Sequence, residues 1–187
     1  MKRFLVPGLT VGLFIGLILL TFVVMYYQAR TEKGVLIAQD IKRLTAIFER
    51  IDEQCTILSF DNVLNPINFL TIKKDGFVGS EVGSMNIAYP EKWQGPYAQD
   101  NPAVQGREYQ IVVTKRGYFI TPGNGVELPN GKTIGKDIIL TRESDISALM
   151  ASDDGFAYKN GYLAAPIAIK SATSIPAATP EWAQELV

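Results

Sequence analysis

The chain has 187 residues, with 18 basic against 19 acidic side chains, one cysteine and no histidine. A near-neutral balance, in which basic residues never run longer than two in a row, excludes the electrostatic footprint of nucleic-acid binding. The missing histidine removes the usual general base, the usual triad member and the commonest neutral metal ligand together, so neither enzymatic activity nor a cofactor is expected.

From Phe4 through Ala29 no side chain is charged, and the run LTVGLFIGLILLTFVVMYY is long enough to cross roughly 30 Å of hydrocarbon as a helix. Residues 1–29 are therefore read as a transmembrane anchor. The run exceeds the usual apolar core of a signal peptide, and no small-x-small site follows it near Tyr26, Tyr27 and Gln28, so retention is expected. Lys2, Arg3 and the amino terminus, set against Arg30 and Lys33, favour a cytoplasmic N-terminus. The expected placement is single-pass in the inner (cytoplasmic) membrane, with the bulk of the chain extracytoplasmic.

Beyond Arg30 the apolar residues fall at Ile37, Ile41, Leu44, Phe48, Ile51, Cys55 and Leu58, alternating steps of four and three. That is a heptad seam. Asp40, Lys42, Arg43, Glu49, Arg50, Asp52 and Glu53 lie between its members, which predicts a wet back. Residues 30–60 are read as an amphipathic stalk helix continuing from the anchor. It is expected to stop near Ser59 to Asn62, where Asp61 and Asn62 favour turns and Pro66 forbids continuation. The seam can pack on the sheet of its own chain, form a coiled coil with a partner, or divide itself between the two. Sheet packing is favoured, because an antiparallel meander needs a cover for its apolar face. Cys55 reads as a small buried hydrophobe on this seam. Gly34, at the handover between the halves, marks either a bend or a close contact.

Residues 61–170 read as the soluble domain. From Asn62 to about Gly106 periodicity dissolves into glycines and prolines, while Phe69, Phe77, Tyr89, Trp93 and Tyr97 argue for packing over disorder. REYQIVVT, GYFIT, GVEL and KTIGKDIIL then read as strands separated by turn sequences. Asn130-Gly131 predicts a type I′ hairpin, and Asn160-Gly161 predicts another. A short helix is expected over Asp145 to Ala151, with Ser144 as its N-cap. The tail, residues 171–187, reads as an extended strap or mobile end.

GVELPNGKT offers Gly131-Lys132-Thr133, the close of a phosphate-binding loop, but the required first glycine is Val126 and a strand-like run follows. No nucleotide partner is expected. Asp153 and Asp154 beside Gly155 offer oxygen ligands to calcium, but without the spacing of a known calcium loop, so an exposed acidic turn is the favoured reading. No catalytic, cofactor-binding or metal residue is assigned.

The order of anchor, stalk, irregular connection and antiparallel sheet resembles the type IV pilins and the pseudopilins of type II secretion. Trp93-Gln94-Gly95-Pro96-Tyr97, then Asp100-Asn101-Pro102 and Tyr109, look like the stretch that precedes the sheet in major pseudopilins. The resemblance implies an α+β fold, a long N-terminal helix packed on a C-terminal antiparallel sheet, in a single-pass structural subunit of a secretion, pilus-related or other envelope assembly. Its partners would be the bilayer and other subunits, met through the anchor and stalk. The alternative is a membrane-anchored ligand-binding or sensory domain. Those families are cut after a leader glycine and before a phenylalanine, with a glutamate five residues into the mature helix. Here Leu9 follows Gly8, and Leu13 stands at the glutamate position. An unprocessed N-terminus is therefore expected, and intact mass of the membrane-extracted protein checks it: a species beginning near Leu9 or Ala29 is the contrary result.

Overall fold

A computed structural model describes residues 5–74, 81–159 and 161–170. One helix, α1 (Leu5–Cys55), runs unbroken through both halves of the stretch read as anchor and stalk. The halves have opposite surroundings. From Val11 to Gln28 every side chain is exposed, whereas Ile37, Ile41, Leu44, Phe48, Ile51 and Cys55 are each at most 3% exposed. The seam is thus consumed by the chain's own domain. Two acidic residues assigned to the wet back are drawn in with it: Asp52 is buried and Asp40 half-buried. They flank the seam on either side, where a short carboxylate can reach partners at the edge of the packed stripe.

The helix ends before the predicted stop. Thr56 takes a left-handed φ of 55°, and the chain leaves as strand β1 (Ile57–Phe60). Period two replaces period three-and-a-half there, so Ile57 and Phe60 are buried while Leu58, counted in the seam, is 50% exposed. Asp52 makes this exit possible. Its Oδ1 accepts the Ile57 N–H at 2.8 Å and its Oδ2 accepts the Lys170 N–H at 2.9 Å. A carboxylate at a helix C-terminus opposes the macrodipole, so these charge-assisted bonds are what offset both that and the burial.

Two antiparallel sheets and two small hairpins follow. β1 pairs with β4 (Met85–Ile87), which pairs with β3 (Glu81–Val82). The main sheet has four strands in the order β11 (Ala165–Ile167), β8 (Gly117–Thr121), β7 (Gln110–Thr114) and β2 (Leu64–Pro66). β5 (Ala103–Val104) with β6 (Arg107–Glu108), and β9 (Ala157–Tyr158) with β10 (Gly161–Tyr162), complete the strands. The class is α+β, a long N-terminal helix on a C-terminal antiparallel sheet. Helix α1 lies against β8 and β11. Consecutive residues Gln110, Ile111 and Val112 are all buried, so both faces of the sheet are covered at β7. Each edge strand carries a proline, Pro66 on β2 and Pro166 on β11, which removes an N–H from either edge and works against pairing with further strands.

Of the predicted strands, GYFIT coincides with β8, and REYQIVVT is interrupted at the fully buried Tyr109. GVEL and KTIGKDIIL form only isolated bridges, Glu127 with Thr133 and Ile134 with Ile138. Gly131 and Gly135, both at φ 84°, turn the chain too soon for a ladder, and the Asp137 carboxylate caps the Thr133 N–H at 2.8 Å. The apolar residues of this stretch, Val126, Leu128, Ile134, Ile138 and Leu140, are nonetheless buried. The turn at Asn130-Gly131 is not type I′: the Gly131 N–H bonds the Leu128 carbonyl, and only Gly131 of the pair has positive φ. In the second hairpin Tyr158 pairs with Gly161, with Lys159 at φ 49°. Helix α2 (Ile146–Met150) is capped by Asp145, whose Oδ1 accepts the Ala148 N–H at 3.1 Å, one residue after the predicted cap. Ser144 instead accepts the Thr141 N–H, closing the turn before it. In the connecting region Phe69 and Trp93 are buried and Tyr97 packs on the core, but Tyr89 is 46% exposed. Phe77 and the tail lie outside the described residues.

Phe48 sits at the centre of a series of edge-to-face rings, 6.5 Å from Phe60 and 6.1 Å from Phe69, with Phe60 in turn 5.2 Å from Tyr118 on β8. A fragment of residues 30–187 is expected to be soluble and to melt cooperatively, since stripe and sheet bury each other. In it Phe48→Ala should cost about 3–5 kcal/mol. Arg50→Ala, whose exposed guanidinium only overhangs the Tyr97 ring, should cost no more than about 1 kcal/mol. Thermal melts of both variants check this; an unchanged midpoint for Phe48→Ala is the contrary result.

Candidate functional site

The features that set this molecule apart lie along α1, where polar groups fix the domain at three heights. Nearest the apolar half, the Tyr158 hydroxyl donates to the Thr31 carbonyl at 2.6 Å. Its ring lies on Gly34, where a Cβ would stand 2.4 Å from the nearest ring carbon. Gly34 is therefore a close-contact glycine within an unbroken helix. Beside it the Arg30 guanidinium lies over the Tyr26 ring at 4.5 Å and reaches the 128–131 turn, where a Cβ on Gly131 would be 3.2 Å from an Arg30 Nη.

Midway, the buried Tyr109 hydroxyl donates to Asp40 Oδ2 at 2.8 Å. Burial, and then the Asp40 carboxylate, push this phenol well above its ordinary range. At the far end stands Asp52, as described, and next to it Tyr97, which donates to Gln54 Oε1 at 2.7 Å and packs edge-on against Trp93 at 4.7 Å. Burial raises both the Tyr97 phenol and the Cys55 thiol. A buried thiol held in its neutral form is a packing group and not a nucleophile, as read from the sequence.

Asp153 and Asp154 are not drawn into an oxygen cage. The Asp153 and Gly155 carbonyls accept the Asn130 side-chain amide at 3.0 and 3.1 Å, and Asp154 pairs with Lys132 at 3.3 Å. The acidic turn is a brace for the 128–132 turn. Among the described residues no group of three histidine, cysteine, aspartate or glutamate side chains could hold a metal ion. The phosphate-loop residues Gly131, Lys132 and Thr133 form a turn, with no helix N-terminus behind them.

Comparison with protein-family models, curated proteins and solved structures finds no match to this chain. Function therefore rests on the molecule's own surfaces. One is the exposed apolar half of α1. The other is a polar cleft of about 250 Å³ between α1 and residues 98–103, where Asp40, Arg43, Gln99, Asp100 and Asn101 supply the charged and polar lining.

Sequence reasoning missed Asp40, Asp52 and Tyr158. The signal for the first two was their position directly beside seam residues Ile41 and Ile51, where an acid can turn inward. Nothing local marks Tyr158, which meets α1 from 127 positions away.

The raised phenols and thiol give a pH dependence of known sign. Below their ordinary values both folded and unfolded chains hold these protons, and stability is complete. As pH rises past about 9–10 the unfolded chain releases them first, so stability falls toward the higher folded values. The melting temperature of the 30–187 fragment should drop between about pH 8 and pH 11. Tyr109→Phe should make that drop shallower while costing about 1–3 kcal/mol at neutral pH through the lost bond to Asp40. An identical alkaline slope in wild type and variant is the contrary outcome.

Proposed function

We propose that this protein is a single-pass membrane structural subunit, pilin- or pseudopilin-like, that contributes its helix to an envelope assembly in the inner membrane. The observation that carries the reading is the division of one continuous helix. One stripe of its outer half is buried by the domain, while Val11 to Tyr27 remain exposed on every side and long enough, with their flanks, to span a bilayer. Among the described residues this is the one helix apolar and long enough to do so. A domain fixed at three heights cannot swing freely about its helix, so position in the membrane becomes position in space for the domain. That is the mechanical need of a subunit in an ordered assembly. The prolines on both sheet edges fit it too, since they direct association away from strand addition and toward the helix. In this reading the bulk of the chain is extracytoplasmic, the N-terminus is kept, and the protein has no catalytic role.

A second reading, a membrane-anchored ligand-binding or sensory domain, is favoured by the Asp40 and Arg43 cleft. Purification separates the two. Under the first reading the protein stays in membranes after alkaline carbonate washing and leaves mild detergent in a defined complex with other membrane subunits. Release by carbonate contradicts the anchor. Recovery as a lone protein, with binding of a small molecule that Arg43→Ala abolishes, moves the conclusion to the second reading.

A further inference from the structure

We infer that the end of the domain nearest the apolar helix is a docking face for anionic phospholipid headgroups, formed by the 128–132 turn and the β9–β10 hairpin around Arg30. This rests on the membrane-anchored reading and adds to it a fixed seating of the domain on the lipid surface.

Height comes first. At 1.5 Å per residue, Thr31 and Gly34 lie only about 6 and 10 Å along the axis beyond Tyr27, the last large exposed apolar side chain of the span. The headgroup layer extends roughly 5–8 Å on each side of the hydrocarbon. Because Tyr158 is fixed to Thr31 and packs on Gly34, and Gly131 lies against the Arg30 guanidinium, the hairpin and the turn are held at or against that layer by contacts already made. The domain reaches lipid without any rearrangement.

Charge is the second observation. The Arg30 Nε is buried and has no hydrogen-bond partner, and among the described residues no carboxylate pairs with Arg30. Its guanidinium lies against Tyr26 and the turn, with donors to spare for an anion that the protein does not provide. A phosphate oxygen is such an anion. Lys159, at the hairpin tip, lies over the Tyr158 ring at 5.5 Å and likewise has no carboxylate partner. Lys132 and Asp154 neutralise each other, which leaves Arg30 and Lys159 as the cations of this face that no carboxylate among the described residues pairs with. Tyr26, Tyr27 and Tyr158 supply the amphipathic rings that favour the interface. Only two cations are unpaired in this way, so the face selects anionic over zwitterionic lipid modestly and in a salt-dependent way.

The test is amide hydrogen exchange of the full chain in nanodiscs of phosphatidylcholine alone and of phosphatidylcholine with phosphatidylglycerol. Peptides covering Gly131 and Lys132, and those covering Tyr158 and Lys159, should exchange about fivefold more slowly in the anionic discs, the gain of one basic side chain near such a surface. The difference should vanish in Arg30→Gln/Lys159→Gln and at about 1 M salt, and persist in Lys92→Gln, which changes a cation on the 3-10 turn after β4. Peptides of β8 report whether the fold is kept; where the double variant disturbs them, Lys159→Gln alone is read. A chain that enters the discs but exchanges equally in both lipids overturns the docking face and leaves the anchor standing. A chain that never enters them overturns both.

Discussion

Everything in this molecule depends on the burial of one stripe of α1, from Ile37 to Cys55, against sheet and loops of the same chain. The β-elements are short, mostly two to five residues, and edges at Pro66 and Pro166 limit how far they can extend. Sheets of that size have little independent stability and need an apolar cover. The helix supplies it, and the sheet returns the favour by holding straight a helix half whose solvent-exposed seam would otherwise seek another chain. Burial of this kind is non-directional, so polar contacts set the register: Asp52 at the exit, Asp40 with Tyr109 midway and Tyr158 with Thr31 near the apolar half.

The consequence is rigidity between an exposed apolar helix and the domain it carries. A membrane helix that ended in a flexible linker would anchor its domain without orienting it. Here the helix that is exposed and apolar at one end becomes the core at the other, with no intervening loop. Even the glycine at the handover is covered by the Tyr158 ring and does not interrupt the helix. The proposals of an assembly subunit and of a lipid-docking face both draw on this one property. The Asp40 and Arg43 cleft stands apart from it, further along the helix than Gly34, and is the surface through which a ligand-binding role would act.

Much of this was legible in the residues because the strongest signals are periodic. The uncharged run and the heptad steps announce a helix in two environments, and five of the six steps along the seam end on buried residues, failing only at Leu58. The failure is instructive. Leu58 satisfies the heptad count, but Thr56 reverses the backbone, and a strand then reads the same apolar letters in period two. No proline or glycine marks the place; the cause is the Asp52 carboxylate, whose second partner, Lys170, lies far along the chain. KTIGKDIIL failed for a related reason, since Ile134 and Ile138 are buried in an irregular loop stapled by Asp137, with Ile139 left facing solvent, and no ladder forms. Of the candidate site residues, Cys55 could be read correctly because it sits on the seam. Arg30 and Tyr158 could not, because what distinguishes them is a tertiary neighbour.

Cooperativity between helix and sheet tests the account most directly. In a fragment of residues 30–187 carrying Trp182→Phe, Trp93 is the sole tryptophan and reports the packed core, while far-ultraviolet dichroism reports mainly the helix. Urea unfolding followed by both probes should give coincident transitions, because neither element retains its structure without the other. A helix signal lost at clearly lower urea than the Trp93 signal would show that the sheet stands alone, and would contradict the central claim.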